Sequence, residues 1–218
     1  MARKKIIKAK KLNNHNNKKF NIKNEFNLSL RYLKESDNYI AVTFTIFIFL
    51  FIMGFLLPYY ASQESLQPIL DIVKSYIKEL LRNTEGLGAL GMFWFIFKNN
   101  LTVAFTSIFS GVFFGIIPAI FLLSNGSLIG FISSLAFSSP NGGSQIFLRL
   151  LPHGIFEIPA IIISFALGIK FGTFAFKKEP KKAFKKYLIN STRVFVFVII
   201  PLLFIAAIIE AFLIVFVG

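Results

Sequence analysis

Apolar positions in this chain fall into two patterns, continuous and helically periodic. The run IAVTFTIFIFLFIMGFLL is unbroken and ends at Pro58, Tyr59 and Tyr60. Since about 20 apolar residues at 1.5 Å each cross a hydrocarbon core, it predicts a transmembrane helix over 39–57 with the tyrosines at the interface. Residues 101–123, 127–138, 145–170 and 194–217 predict four further crossings, the 127–138 one short. Between the second and third crossings Ser124, Asn125 and Gly126 predict a turn, because Asn-Gly supplies the positive φ that tight turns need. The apolar piece over 86–97, ending before Lys98, is too short to span and predicts an interfacial or re-entrant segment. Residues 62–83 differ in kind. Leu66, Ile69, Leu70, Val73, Ile77, Leu80 and Leu81 repeat at i, i+3, i+4 and i+7, with Asp71, Lys74, Lys78 and Glu79 opposite. That predicts an amphipathic helix on the outer interface or docked on the other spans. The expected fold is an all-α integral membrane bundle of about five transmembrane helices, some short or broken, plus this extracytoplasmic amphipathic helix.

Charge then orients the bundle. Of 24 Lys and Arg, eleven lie in residues 1–34 and eight in 170–193, leaving five between. Basic blocks flanking apolar spans mark cytoplasmic segments, so an even number of crossings must separate them. Four do so, and the fifth places the C-terminus outside. The expectation is a multi-pass protein of the cell membrane with a basic, partly disordered cytoplasmic tail over 1–38 and a membrane domain over 39–218. The lipid bilayer and anionic lipid headgroups are its expected partners. The formal charge of +14 does not point to nucleic acid, because no aromatic-interleaved basic groove accompanies it. The 29 Phe and a mean hydropathy of +0.68 are too apolar for an ordinary soluble domain. There is no cysteine, hence no disulfide or thiolate site. A basic stretch of some 35 residues before the first apolar run does not read as a cleavable signal.

Candidate chemistry concentrates in QIFLRLLPHGIFEIPAIIISFALGIK. Arg149, His153 and Glu157 are four apart and share one helical face. Each ionisable group at membrane depth costs about 2.5–3.5 kcal/mol on insertion scales, so such groups must face protein or water. Pro152, Gly154 and Pro159 interleave with them and predict a broken membrane helix. Glu210, isolated in the last span, is a further partner for Arg149. Four readings are open: groups satisfying one another, a path for solute, ion or proton, a metal site, or hydrolytic chemistry. No second His or Asp joins His153 and Glu157, and no nucleophile or HExxH accompanies them, so neither metal nor catalytic residue is expected. Asn99, Asn100 and Asn125 are either interfacial caps and a turn or the polar lining of a cavity shared with Glu157. Three GxxxG pairs, Gly111 with Gly115, Gly126 with Gly130 and Gly168 with Gly172, predict close helix packing inside the bundle or across a homodimer.

The strings NNLTVAF, GVFFGIIP and LSNGSLIGF, followed by LLPHGIFEIPAIIISFALGIKFG, resemble the stage II sporulation protein M family over roughly residues 35–216. The most specific matches are Asn99-Asn100, Asn125-Gly126 with Gly130, and Leu151-Pro152-His153-Gly154 with Glu157 and Pro159. The resemblance implies a helical membrane domain of about five spans. It also implies a scaffold, since members in spore-forming bacteria assemble a membrane complex with cell-wall hydrolases during engulfment. The favoured expectation is therefore a non-enzymatic protein, without cofactor, that assembles with itself or with other membrane proteins. The alternative is a transporter or channel for a small solute, ion or lipid, using Arg149, His153, Glu157 and Glu210.

Overall fold

The computed structural model describes residues 21–138 and 151–216, apart from the side chains of Leu151 and His153. Among the described residues eight α-helices follow in order: α1 (Ile22–Lys34), α2 (Asp37–Tyr60), α3 (Gln63–Thr84), α4 (Ala89–Phe109), α5 (Ile116–Phe137), α6 (Leu151–Gly172), α7 (Pro180–Val194) and α8 (Ile200–Phe216). No strand occurs among the described residues. Four helical stretches among the described residues are long and apolar enough to cross a membrane: Asp37–Tyr60, Ile116–Phe137, Gly154–Phe176 and Pro180–Phe216. The fold is that of an all-α membrane protein.

Three local expectations are corrected. The second and third predicted crossings, 101–123 and 127–138, are not divided at Asn125-Gly126, which lies inside continuous α5. The division comes earlier, at a 3-10 turn over Ser110–Val112 followed by left-handed Phe114 (φ 56°) and Gly115 (φ 74°). The apolar run flanking Asn-Gly on both sides outweighs its turn preference, and the Asn125 amide donates to the Phe121 carbonyl of its own helix at 2.8 Å. Second, the 86–97 piece is no separate interfacial segment, because from Ala89 onward it forms the first half of α4. Third, the described part of the predicted 145–170 span, α6, is helical throughout, although a break was expected. Pro159 lies within it without ending it. The last predicted span, 194–217, is continuous with α7 through a π-helical turn over Phe195–Ile199, immediately ahead of Pro201, whose missing N–H disturbs the regular ladder.

Helix α6 is the hub, touching α2, α4, α5 and α8. Its Ala160, Ser164, Phe165, Ala166 and Leu167 are fully buried. Backbones approach closely where glycines remove the Cβ. A methyl on Gly54 or Gly130 would overlap the carbonyl oxygen of Ser127 or Phe51 across the α2–α5 pair. One on Gly168 would overlap the Ser107 carbonyl of α4, and Gly172 lies against the backbone of Phe114 and Gly115. The three GxxxG pairs thus make contacts within the chain, where van der Waals packing does the work that water does for soluble helices. Outward, α2 buries only Thr43, Phe47 and Gly54, the pattern of a helix whose remaining faces meet lipid.

At the basic end α1 and α7 pack together, through Arg193 to Glu25 and Lys186 to Glu35. Beneath them Lys170, at the end of α6, is only 6% exposed. Its ammonium donates to Ser36 Oγ at 2.7 Å and the Glu35 carbonyl at 2.9 Å, and lies 4.2 Å from the Tyr32 ring centre. Tyr39 and Tyr187 complete the surround at 5.9 Å. A charge-assisted hydrogen bond contributes about 1.5–3 kcal/mol and a desolvated cation–π contact about 2 kcal/mol, enough to hold an otherwise costly buried ammonium. The Lys186 hydrogen bond, with the charges of Arg31 and Lys170, holds the Glu35 carboxyl below its ordinary range, whereas burial pushes the Tyr32 hydroxyl up.

The glycine contacts yield a direct expectation. Gly168→Val forces the α4–α6 backbones apart and should lower stability by about 1–3 kcal/mol or more, as overpacking does. Gly88→Ala, with open space around the new methyl, should leave it unchanged. Thermal unfolding of the two purified variants in detergent reads the difference.

Candidate functional site

The polar groups at membrane depth come from three helices. α4 carries Lys98, Asn99 and Asn100 at its middle, and this trio keeps α4 out of the set of helices apolar enough to cross on composition. Asn100 is 9% exposed and turns inward, with the Asn99 amide 3.4 Å from its Oδ1. The Glu157 carboxyl of α6 faces the same space as Asn100. Glu210 of α8 sits close enough to Glu157 for their charges to interact.

All four line one cavity of about 430 Å³, together with Met92, Phe95 and Ile96 of α4 and Ile214 of α8. That volume lies within the range of small-molecule sites, about 300–1,000 Å³, and far exceeds one water. The remaining wall is the second half of α3: Tyr76, Ile77, Leu80, Leu81 and Thr84. This helix rests lightly on the bundle, burying only Leu66 and Val73, which cluster with Phe131 of α5. Toward the basic end the chain is solid. Phe204 meets the stacked rings of Phe93 and Phe97 edge to face, and Phe165, Ile199 and Leu203 are fully buried. The cavity therefore lies between the bundle and the amphipathic helix α3.

Chemically it offers two carboxylates and two amides, acceptors that suit a cation or a protonated amine. Two carboxylates facing one space repel each other when both are ionised, and a positive charge between them relieves that repulsion. Among the described residues no group of three His, Cys, Asp or Glu is placed to hold a metal ion.

Of the residues singled out from sequence, Asn99, Asn100, Glu157 and Glu210 come together. Asn125 does not, being spent on its own helix. Arg149, and the side chain of His153, lie outside the described residues, so Glu210 is placed only relative to Glu157. Two features escaped sequence reading. The α3 wall was visible as an amphipathic helix, but periodicity does not say what an apolar face covers. The Lys170 surround has a signal in a lone lysine ending an apolar run. Its tyrosines at 32, 39 and 187 share no spacing that would connect them.

Comparison with known proteins places these residues in a wider set. The family described as Stage II sporulation protein M matches residues 43–213. Two proteins of Methanocaldococcus jannaschii, each described as uncharacterized, are 36% identical to the matched parts. One match covers 36% of this chain and 38% of the relative, the other 34% and 42%. The chain thus spans about two fifths of the curated relatives it matches. No solved structure matches.

The absence of cysteine makes the chamber directly testable. In membranes, Asn99→Cys and Glu210→Cys should react with a water-soluble thiosulfonate reagent at least about tenfold faster than Ala166→Cys, because only the first two meet water. Equal, slow labelling at all three would contradict a hydrated chamber.

Proposed function

The chain belongs to the stage II sporulation protein M family, and we propose that it binds a small cation or protonated amine in the Glu157–Glu210 chamber and passes it across the membrane. The observation that carries this reading is the chamber itself: two carboxylates and a buried asparagine converge on a space large enough for a hydrated solute, at a depth where unpartnered ionisable groups are expensive. The amphipathic α3 forms the outer cover. Its seating on the bundle is through Leu66 and Val73 against Phe131, apart from the main core. The apolar plug of Phe165, Ile199 and Leu203 closes the other end, so passage requires the two ends to open in turn, as in transporters that alternate access around a mid-membrane site. The reading is non-enzymatic.

Five crossings fit this picture, by α2, α4, α5, α6 and α8. What supports counting α4 is the pairing of α1 with α7. α1 immediately precedes the first crossing and α7 follows α6. Their contact requires an even number of crossings between them, and α2, α5 and α6 alone would make three. With the basic α1 and α7 on the cytoplasmic side, the C-terminal end of α8 lies outside.

The second reading, a scaffold that assembles with itself or with other membrane proteins, rests on family membership. The glycine pairs that suggested a homodimer make contacts within the chain, which removes part of its motive but not the family relation.

Liposomes containing the purified protein, loaded with ion-reporting dyes and given sodium, potassium, magnesium or methylammonium gradients, provide the test. Flux of at least one of these above that of empty vesicles, falling at least about tenfold in Glu157→Gln and Glu210→Gln, is expected; one lost carboxylate contact of about 1.4 kcal/mol suffices for that factor. No flux for any of them, together with specific cross-linking to a membrane partner, would favour the scaffold.

A further inference from the structure

A second recess lies at the opposite end of the bundle and plays no part in the chamber. It has a volume of about 310 Å³ and sits where α6 gives way to α7, lined by Lys177, Lys178, Glu179, Lys182, Lys186 and Tyr187 with Ala183. Four lysines therefore face one lining carboxylate. Lys182 pairs with Glu179, and Lys186 reaches Glu35 at 3.0 Å. Lys177 and Lys178 have no ion pair among the described residues. The site is thus cationic after its internal pairs are counted.

Next to the lysines the surface changes character abruptly. Phe176, adjacent in sequence to Lys177, is 78% exposed, and its ring centre is 6.1 Å from that of Phe114, which is 63% exposed; Phe113 is 62% exposed. Phe114 holds a left-handed backbone (φ 56°), uncommon for a residue with a bulky side chain. It does so because the turn must close against Gly172 of α6, and the result is two consecutive phenylalanines directed away from the core. Exposed rings at the end of a membrane helix, edged by lysines, match the layering of a leaflet: acyl chain, then phosphate, then water. Free anions or nucleic acid would account for the lysines and leave the rings unexplained.

We propose that this recess is a binding site for the phosphate headgroup of an anionic membrane lipid, held by Lys177, Lys178 and Lys182, with its acyl chain against Phe114 and Phe176. The site is independent of the chamber, and its failure leaves the transport reading untouched.

The test uses the full chain in phosphatidylcholine nanodiscs and titrates fluorescent phosphatidylglycerol, with phosphatidylcholine and soluble glycerol phosphate as competitors. Phosphatidylglycerol should bind at least about tenfold tighter than phosphatidylcholine, at about 1 kcal/mol per lysine near the surface. Lys177→Gln with Lys178→Gln should remove that preference at an unchanged melting temperature. Phe176→Ala should weaken binding of the lipid. Arg31→Gln with Lys34→Gln, on the neighbouring basic helix, should leave binding as it was. Equal affinity for the two lipids, an unaffected Lys177/Lys178 variant, or an equal loss in the Arg31/Lys34 variant would overturn the site. Displacement by glycerol phosphate at concentrations equal to the lipid would overturn the lipid assignment, leaving a site for free phosphate groups.

Discussion

A carboxylate cannot sit in hydrocarbon without something polar beside it, and this chain places two of them, Glu157 and Glu210, inside apolar helices. That constraint organises the molecule. Neither helix can turn its acidic side to lipid, so both turn it to α4, which carries the matching amides of Asn99 and Asn100 at the same level. The mid-helix polarity that makes α4 look unlike a membrane span is what permits the two acidic helices to lie beside it. The amphipathic α3, polar on one side and apolar on the other, then covers the side that the three leave open.

Holding this arrangement falls to contacts that are short and mostly backbone. Around α6 the glycines at 111, 168 and 172 bring helix axes close enough for carbonyls and Cα atoms to touch, while the buried Ser164 and Ser107 spend their hydroxyls on their own helices, on the Ala160 and Val103 carbonyls. No apolar solvent drives these helices together, so fit and polar satisfaction must. At the basic end the ammonium of Lys170 ties α6 to the junction of α1 and α2. α6 thus joins two polar regions, an acidic chamber near its beginning and a buried lysine near its end, separated by a solid apolar plug.

Much of this was legible in sequence, and the exceptions have physical causes. Helices α2 and α3 could be read directly, one from an unbroken apolar run and the other from its period of 3.6. The membrane class and the family followed from the same strings. The boundary between α4 and α5 was misplaced because Asn125-Gly126 carries a strong local turn preference. The true turn uses Phe114 in a conformation that phenylalanine rarely adopts, held there by Gly172 from a distant helix. Tertiary packing overruled local propensity at both places. Pro159 misled in the same way, since α6 continues through it. At the site, the expense of burying charge singled out Glu157 and Glu210, and the amide pair Asn99 and Asn100, and the four line one cavity. Which of these meet depends on helix neighbours that no spacing within one chain reveals.

The claim on which the rest stands is that the Glu157 position faces a protein-walled aqueous space. A spin label attached through Glu157→Cys, in lipid nanodiscs, measures this through collisions with a water-soluble nickel chelate and with oxygen, which concentrates in acyl chains. Frequent nickel collisions with few oxygen collisions are predicted. The reverse ratio, matching a label placed at Phe49 on the outward face of α2, would put the acidic face in lipid and contradict the chamber.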